Sequence, residues 1–84
     1  MTRRVAKLYV TDDCSLCDIA LDMLIRSKVM SGVVLTTVDV ALDDDLFTTY
    51  GDLIPVLAYA GNTMNWPFTM TDIESFIAQS EKRS

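Results

Sequence analysis

The sequence predicts a single α/β domain, 1–84, with a mixed four-stranded sheet flanked by helices in the order β-α-β-α-β-β-α. One observation is a strand pattern, a helical pattern and a second strand pattern in succession, which is typical of a parallel βαβ unit with a right-handed crossover. A second observation is the apolar run Val56–Tyr59, followed by a turn at Gly61-Asn62 and a returning segment, Thr63–Trp66, which together indicate an antiparallel hairpin. Half of the 84 residues are hydrophobic, which suits one compact core.

The first half of the chain contains the elements of the βαβ unit. The first strand is predicted over Val5–Thr11, and the first helix from about Ser15 to Met30, where apolar residues recur at helical spacing without a proline. Gly32 is predicted to end this helix. The second strand, Val33–Val40, is β-branched and nearly continuous in its apolar residues, which is typical of a strand covered on both faces.

The second half contains a short helix, the hairpin and a last helix. The short helix is predicted over Asp43–Gly51, because aspartates suit its N-terminal end and glycine its C-terminal cap. Pro55–Tyr59 forms the next strand, and Thr63–Trp66 returns beside it. Thr71–Glu74 has the pattern of a capping box, so the last helix is predicted to begin there, to run to about Gln79 and to leave a frayed tail.

The charge of the chain excludes several functional classes. The formal net charge is −5, which argues against nucleic-acid binding and against docking on an anionic membrane. It favours solubility and, more weakly, basic or neutral protein partners. No stretch approaches the roughly 18 apolar residues of a membrane helix, and the N-terminal pattern is not that of a signal peptide. We therefore expect a cytoplasmic monomer, in a compartment where disulfides are mostly transient and catalytic.

The pair Cys14 and Cys17 lies where the first strand ends and the first helix begins. Residues three apart at a helix start share a face and lie close enough to form a disulfide. Unpaired backbone N–H groups and the helix dipole favour a thiolate at Cys14, which makes it the candidate nucleophile. Cys17, one turn further along the helix, is then the candidate resolving thiol.

Three other interpretations of this pair fit the sequence less well. An inert core position suits Cys14 poorly, because Asp13 and Ser15 flank it at an element end. A structural disulfide closing so short a loop gains little chain entropy. A zinc site needs about four ligands, and with no histidine and two cysteines only carboxylates or a second chain would complete it. A redox pair is the favoured interpretation, with no metal and no organic cofactor implied.

Pro55 is the second signal, since a proline that opens an apolar strand is unusual unless its missing N–H or a cis bond is needed. A cis bond between Ile54 and Pro55 would offer the main chain of Ile54 to an extended substrate segment. The alternative is an ordinary trans proline at the start of a strand.

Four features follow one another along the chain: a strand, a C-x-x-C pair that opens a helix, Ile-Pro-Val before a hairpin, and a last helix. In this combination the chain resembles the thioredoxin superfamily, specifically short glutaredoxin-like proteins. The resemblance covers roughly Lys7 to Gln79. It implies a thioredoxin-like fold in which Cys14 is the nucleophile, Cys17 resolves the mixed disulfide, and Pro55 is cis and faces them.

The same resemblance makes glutathione a doubtful substrate. Glutaredoxins often carry a basic residue three positions before the first cysteine, and Thr11 stands here. They commonly have a Gly-Gly pair before the last helix, and here that stretch is 68–72. Thr71 and Asp72 are the residues that would replace the family's contacts to the glutathione α-amino group.

Three functional hypotheses follow from these observations. The first is a thiol–disulfide oxidoreductase that exchanges electrons with protein or small-molecule disulfides. The second is a non-catalytic protein-binding or redox-sensing module on the same fold. The third is a scaffold for a metal or iron–sulfur site shared between two chains.

Overall fold

The computed structural model describes residues 4–83 and has the predicted order of strands and helices. Its elements are β1 (Val5–Val10), α1 (Ser15–Arg26), β2 (Val34–Asp39), α2 (Asp44–Tyr50), β3 (Val56–Tyr59), β4 (Asn62–Asn65) and α3 (Met70–Arg83). Short 3₁₀ turns at Lys28–Met30 and Val40–Leu42 follow α1 and β2. The predicted domain 1–84 extends at both ends beyond the described residues.

The four strands form one mixed sheet in the order β2-β1-β3-β4. β1 and β2 are parallel, with Val10 opposite Asp39, as a βαβ unit requires. β3 is antiparallel to β1, with Tyr9 opposite Val56, and β4 is antiparallel to β3. The prediction of a βαβ unit followed by a hairpin is confirmed, and the fold is thioredoxin-like.

The main core lies between one face of the sheet and the pair α1 and α3. Alternate residues of β1 point to this face, where Ala6 and Leu8 are fully buried. The buried cluster also includes residues of both helices and β3, namely Ala20, Leu24, Leu57, Tyr59, Ile73 and Ile77. α2 lies on the opposite face, where the Tyr50 ring stacks on Tyr9 with 4.5 Å between ring centroids.

The prediction that the second strand is covered on both faces is wrong. β2 is an edge strand that pairs only with β1, and none of its residues is buried. The β-branched run Val33–Val40 suits the extended backbone whether or not it is buried, so its composition indicated a strand but not its depth.

The first helix is shorter than predicted. α1 ends at Arg26, because Ser27 adopts an extended conformation (φ −75°, ψ 129°). Val29 and Met30, whose apolar character extended the predicted helix, lie in the following 3₁₀ turn and still pack on the core. Gly32, at φ +81°, then takes the left-handed turn before β2.

The last helix is longer than predicted, and its capping box lies two residues earlier. Thr69 Oγ1 accepts a hydrogen bond from the Asp72 amide at 3.1 Å, and the Thr69 amide donates to Asp72 Oδ2 at 2.8 Å. This reciprocal pair is a capping box with Asp in the usual Glu position. The helix continues through residues predicted as a frayed tail, because Ser80 is buried and accepts a hydrogen bond from Asn62. Ser84 lies outside the described residues.

The capping box predicts a difference between two threonines. Thr69→Ala should lower the free energy of unfolding by about 1 kcal/mol, because it removes the acceptor for the Asp72 amide. Thr71→Ala, an exposed change within the first turn, should stay within about 0.5 kcal/mol of the parent. Urea denaturation measures both, and an equal loss in the two variants would contradict the assignment of the cap to Thr69.

A second prediction concerns Tyr59, whose hydroxyl donates to Glu81 Oε1 at 3.2 Å. Burial raises the pKa of Tyr59 above its ordinary 10.0, and the Glu81 carboxylate raises it further. The folded chain therefore holds this proton more tightly than the unfolded chain. The stability that protonated Tyr59 contributes to the folded state is fully present below about pH 10 and is lost as the pH rises further. Urea denaturation between about pH 8 and 11 should show a steeper loss for the parent than for Tyr59→Phe, and parallel curves would contradict this.

Candidate functional site

The topology brings two separate segments of the chain to one end of the sheet. β1 finishes where β3 begins, because the two strands are antiparallel with Tyr9 opposite Val56. Cys14 follows β1 by four residues, and Pro55 immediately precedes β3. We call this the disulfide end of the sheet. β2 and β4 also finish at this end, since Asp39 lies opposite Val10 and Asn65 opposite Val56.

Cys14 and Cys17 are joined by a disulfide, with 5.2 Å between their Cα atoms. Cys14 is the N-cap of α1, and its Sγ accepts a hydrogen bond from the Cys17 amide at 3.1 Å. The helix start therefore directs a backbone donor at this sulfur. Asp13, at φ +56°, takes the left-handed turn into the cap, a conformation that Asp tolerates better than most residues.

The two cysteine residues differ in exposure. Cys17 is 3% exposed and contributes to the core, whereas Cys14 is partly exposed. An incoming sulfur atom can therefore approach Cys14 from solvent more readily than it can approach the buried Cys17. The arrangement suits an attacking thiol and a protected second thiol behind it.

The segment before β3 is held at both ends by main-chain hydrogen bonds. The peptide bond between Ile54 and Pro55 is cis, as predicted, and Pro55 is fully buried. The Tyr50 carbonyl accepts from the amides of Leu53 at 2.8 Å and Ile54 at 3.1 Å. The Trp66 amide donates to the Pro55 carbonyl at 3.1 Å. Because the Ile54 amide is engaged with Tyr50, its carbonyl is the main-chain group it offers to a ligand.

The contact between Tyr9 and Tyr50 was not predicted from the sequence. Their rings are nearly parallel, 12° apart, and this stack fixes the end of α2 against the central strand. The only sequence signal was the position of an aromatic residue at the end of each element, and position alone does not show that two rings meet. A second cis bond, between Trp66 and Pro67, was also missed.

Thr71 and Asp72, predicted as contacts for a glutathione amine, lie in the exposed first turn of α3. This turn follows β4 and so belongs to the disulfide end. The Asp72 carboxylate is already engaged by the Thr69 amide at 2.8 Å. The structure therefore gives Asp72 a local capping role, and a ligand amine would share the carboxylate with the helix terminus.

Within residues 4–83 there is no group of three or more Cys, Asp or Glu side chains placed to hold a metal ion. No helix in the same range is long and apolar enough to cross a membrane.

Comparisons with known proteins agree with this architecture. A family model described as glutaredoxin-like domain (DUF836) matches residues 6–78. The X-ray structure of the Northeast Structural Genomics target protein XcR50 from X. campestris is 29% identical, with a TM-score of 0.76 over 88% of this chain and 96% of that chain. The solution structure of XcR50 gives 29% identity and a TM-score of 0.74 over 88% and 92% of the two chains. No curated protein matches the chain.

The difference in accessibility predicts the order in which the reduced cysteines react. Limiting iodoacetamide should label Cys14 first, because alkylation requires an accessible sulfur and a thiolate, and Cys14 has both solvent access and an amide donor. Peptide mapping locates the adduct, and labelling in denaturant, where both thiols are exposed, is the control. Predominant labelling of Cys17 in the folded chain would reverse the two roles.

Proposed function

Because the chain belongs to the glutaredoxin-like domain family, we propose that it is a thiol–disulfide oxidoreductase acting through Cys14 and Cys17. The observation that carries the proposal is the disulfide at the N-terminus of α1, with Cys14 partly exposed and Cys17 only 3% exposed. A structural disulfide would not need one sulfur held accessible at a helix N-cap. We place the protein in the cytoplasm and as a monomer, with disulfide-bearing proteins or small disulfides as substrates.

The proposed reaction starts from the reduced chain. The Cys14 thiolate attacks one sulfur of a substrate disulfide, which forms a mixed disulfide and releases the other substrate sulfur as a thiolate that takes up a proton. Cys17, after losing its proton, attacks Cys14 Sγ and releases the second substrate sulfur, which is also protonated. The substrate gains two electrons and two protons, and the chain is left with the Cys14–Cys17 disulfide. An external thiol then reduces it again.

The local geometry supports each of these steps. In the disulfide-bonded structure the Cys17 amide lies 3.1 Å from Cys14 Sγ. In the reduced chain the same N–H donor would favour a thiolate at Cys14. The Cα atoms of the two cysteines already have the spacing that a disulfide requires. Resolution of the mixed disulfide by Cys17 therefore needs little movement of the main chain. Cys17 is buried among apolar residues, which keeps it from competing for the substrate before the mixed disulfide has formed.

The segment before β3 supports a second element of the proposal, the capture of substrate. Ile54 and Pro55 lie beside the end of β1, at the same end of the sheet as Cys14. The Ile54 carbonyl is placed to accept a hydrogen bond from an extended substrate, in the manner of strand addition. We assign glutathione a minor role, because it carries two carboxylates and Asp12 and Asp13 lie next to Cys14.

Trapping of the mixed disulfide tests the proposed roles. Cys17→Ser should accumulate a covalent adduct with a disulfide substrate, because Cys14 attacks and no resolving thiol follows. Cys14→Ser, the matched control, should give little adduct, and the parent should release reduced substrate. Non-reducing electrophoresis and mass spectrometry measure the adduct. A chain that neither forms an adduct nor reduces any disulfide would support the alternative of a non-catalytic binding module.

A parallel turnover assay with glutathione and with thioredoxin reductase as electron sources completes this test. We expect weaker turnover with glutathione than a conventional glutaredoxin shows under the same conditions. A charged hydrogen bond contributes roughly 1.5–3 kcal/mol, so its loss at Thr11 corresponds to a decrease of at least about tenfold in affinity. Glutathione turnover equal to that of the conventional enzyme would refute the minor role.

A further inference from the structure

The basic residues of the chain are absent from most of its length. Residues 8–25 and 29–81 contain no Lys or Arg, although the whole chain carries 7 basic and 12 acidic residues. Arg4 precedes β1, Arg26 ends α1, and Lys28 and Lys82 follow or end a helix that runs away from the disulfide end. Apart from Lys7, in the middle of β1, the basic residues that the structure describes therefore lie toward the opposite end of the sheet.

The acidic residues have the reverse distribution. Several segments meet at the disulfide end. They are the segments that follow β1, β2 and β4, the segment that precedes β3, and the first turns of the three helices. Nine aspartates lie in or beside these segments: Asp12, Asp13, Asp18, Asp39, Asp43, Asp44, Asp45, Asp52 and Asp72.

Ion pairing increases this polarity. The two ion pairs found among residues 4–83 join Arg4 to Glu81 and Arg26 to Asp22. Neither pair involves one of the nine aspartates at the disulfide end, so no ion pair in the described part of the chain neutralises them. Their charge is therefore balanced only by helix termini and solvent.

Exposed apolar side chains lie among these aspartates. Leu16, between the two cysteines, is 45% exposed, and Leu53, two residues before Pro55, is 43% exposed. These two leucines at the disulfide end can offer apolar contacts to a polypeptide, and the surrounding negative charge restricts which polypeptide can approach. Negative charge at this end of the sheet complements positive charge, so the expected partner is a polypeptide segment that carries Lys or Arg.

We propose that the disulfide end selects, as substrates, polypeptide segments whose cystine is flanked by Lys or Arg and by apolar residues. This inference rests on the proposed oxidoreductase function and names its substrate class. The nine aspartates raise the local concentration of a basic segment and repel an acidic one, which changes mainly the rate of association. Leu16 and Leu53 then contact the apolar neighbours of the substrate cystine.

Single-turnover reduction of three synthetic cystine peptides tests the proposal. The peptides share one sequence, with leucine beside the cystine, and differ only in flanking Lys, Gln or Glu residues. The reduced chain, freed of other reductants, supplies both electrons. At about 0.1 M salt, where the Debye length is about 10 Å, the Lys peptide should react about tenfold faster than the Glu peptide. Near 1 M salt, where the Debye length is about 3 Å, the two rates should converge.

Two variants with the same net charge separate a local effect from a global one. Asp12→Asn with Asp13→Asn changes the net charge from −5 to −3, because it removes two negative charges. Ala78→Lys with Gln79→Lys reaches −3 by adding two positive charges at exposed positions in the later half of α3. Residues 78 and 79 lie eight and nine positions after Met70, the first residue of α3. At 1.5 Å per residue that is about 12 Å along the helix axis, more than the Debye length of about 10 Å at about 0.1 M salt, so screening weakens the influence of this pair on the disulfide end.

The Asn variant should lower the Lys-to-Glu rate ratio by about twofold, as expected from two screened charges near the site, and the Lys variant should change it less. Equal rates for the Lys and Glu peptides, or an equal effect of the two variants, would overturn the inference. Reduction of the Gln peptide in that case would still uphold the oxidoreductase function. Failure to reduce any of the three peptides would refute the function and this inference with it.

Discussion

The antiparallel pairing of β1 with β3 is the constraint on which the site depends. It places the end of β1 beside the start of β3, and so it unites two loops that are about forty residues apart in sequence. The fully buried residues Leu8 and Leu57, which lie opposite each other, pack this pair of strands against α1 and α3. Burial of each such side chain contributes roughly 1.5–3 kcal/mol. The register that positions the cysteines is thus set by the hydrophobic core.

Tyr50 links the second face of the sheet to the same site. Its ring stacks on Tyr9, and its carbonyl accepts the amides of Leu53 and Ile54. The short helix α2 therefore fixes the segment that leads to Pro55, although it contributes no residue to the buried core. A helix of seven residues has little stability of its own, so its orientation depends on the aromatic stack and on the 3₁₀ turn before it.

The sequence was sufficient to predict the order of elements, the sheet connectivity and the position of the cysteine pair. These features follow from local periodicity, turn residues and the topological rules for a βαβ unit. The depth of β2, the length of α3 and the contact between Tyr9 and Tyr50 depend on tertiary neighbours that a single sequence does not specify. The capping box was predicted two residues too late, because Thr69 and Thr71 both fit the local pattern. Only the hydrogen bonds between Thr69 and Asp72 distinguish them.

The nine aspartates at the disulfide end form no ion pair in the described part of the chain, and their charge would also affect how copies of this chain meet one another. An accessible thiol that attacks disulfides can attack the oxidised form of the same protein, which would crosslink two copies through Cys14. Such an encounter brings two acidic ends face to face, and repulsion between like charges opposes it. In the proposed reaction this repulsion would therefore disfavour self-crosslinking, and concentrated salt would weaken the effect.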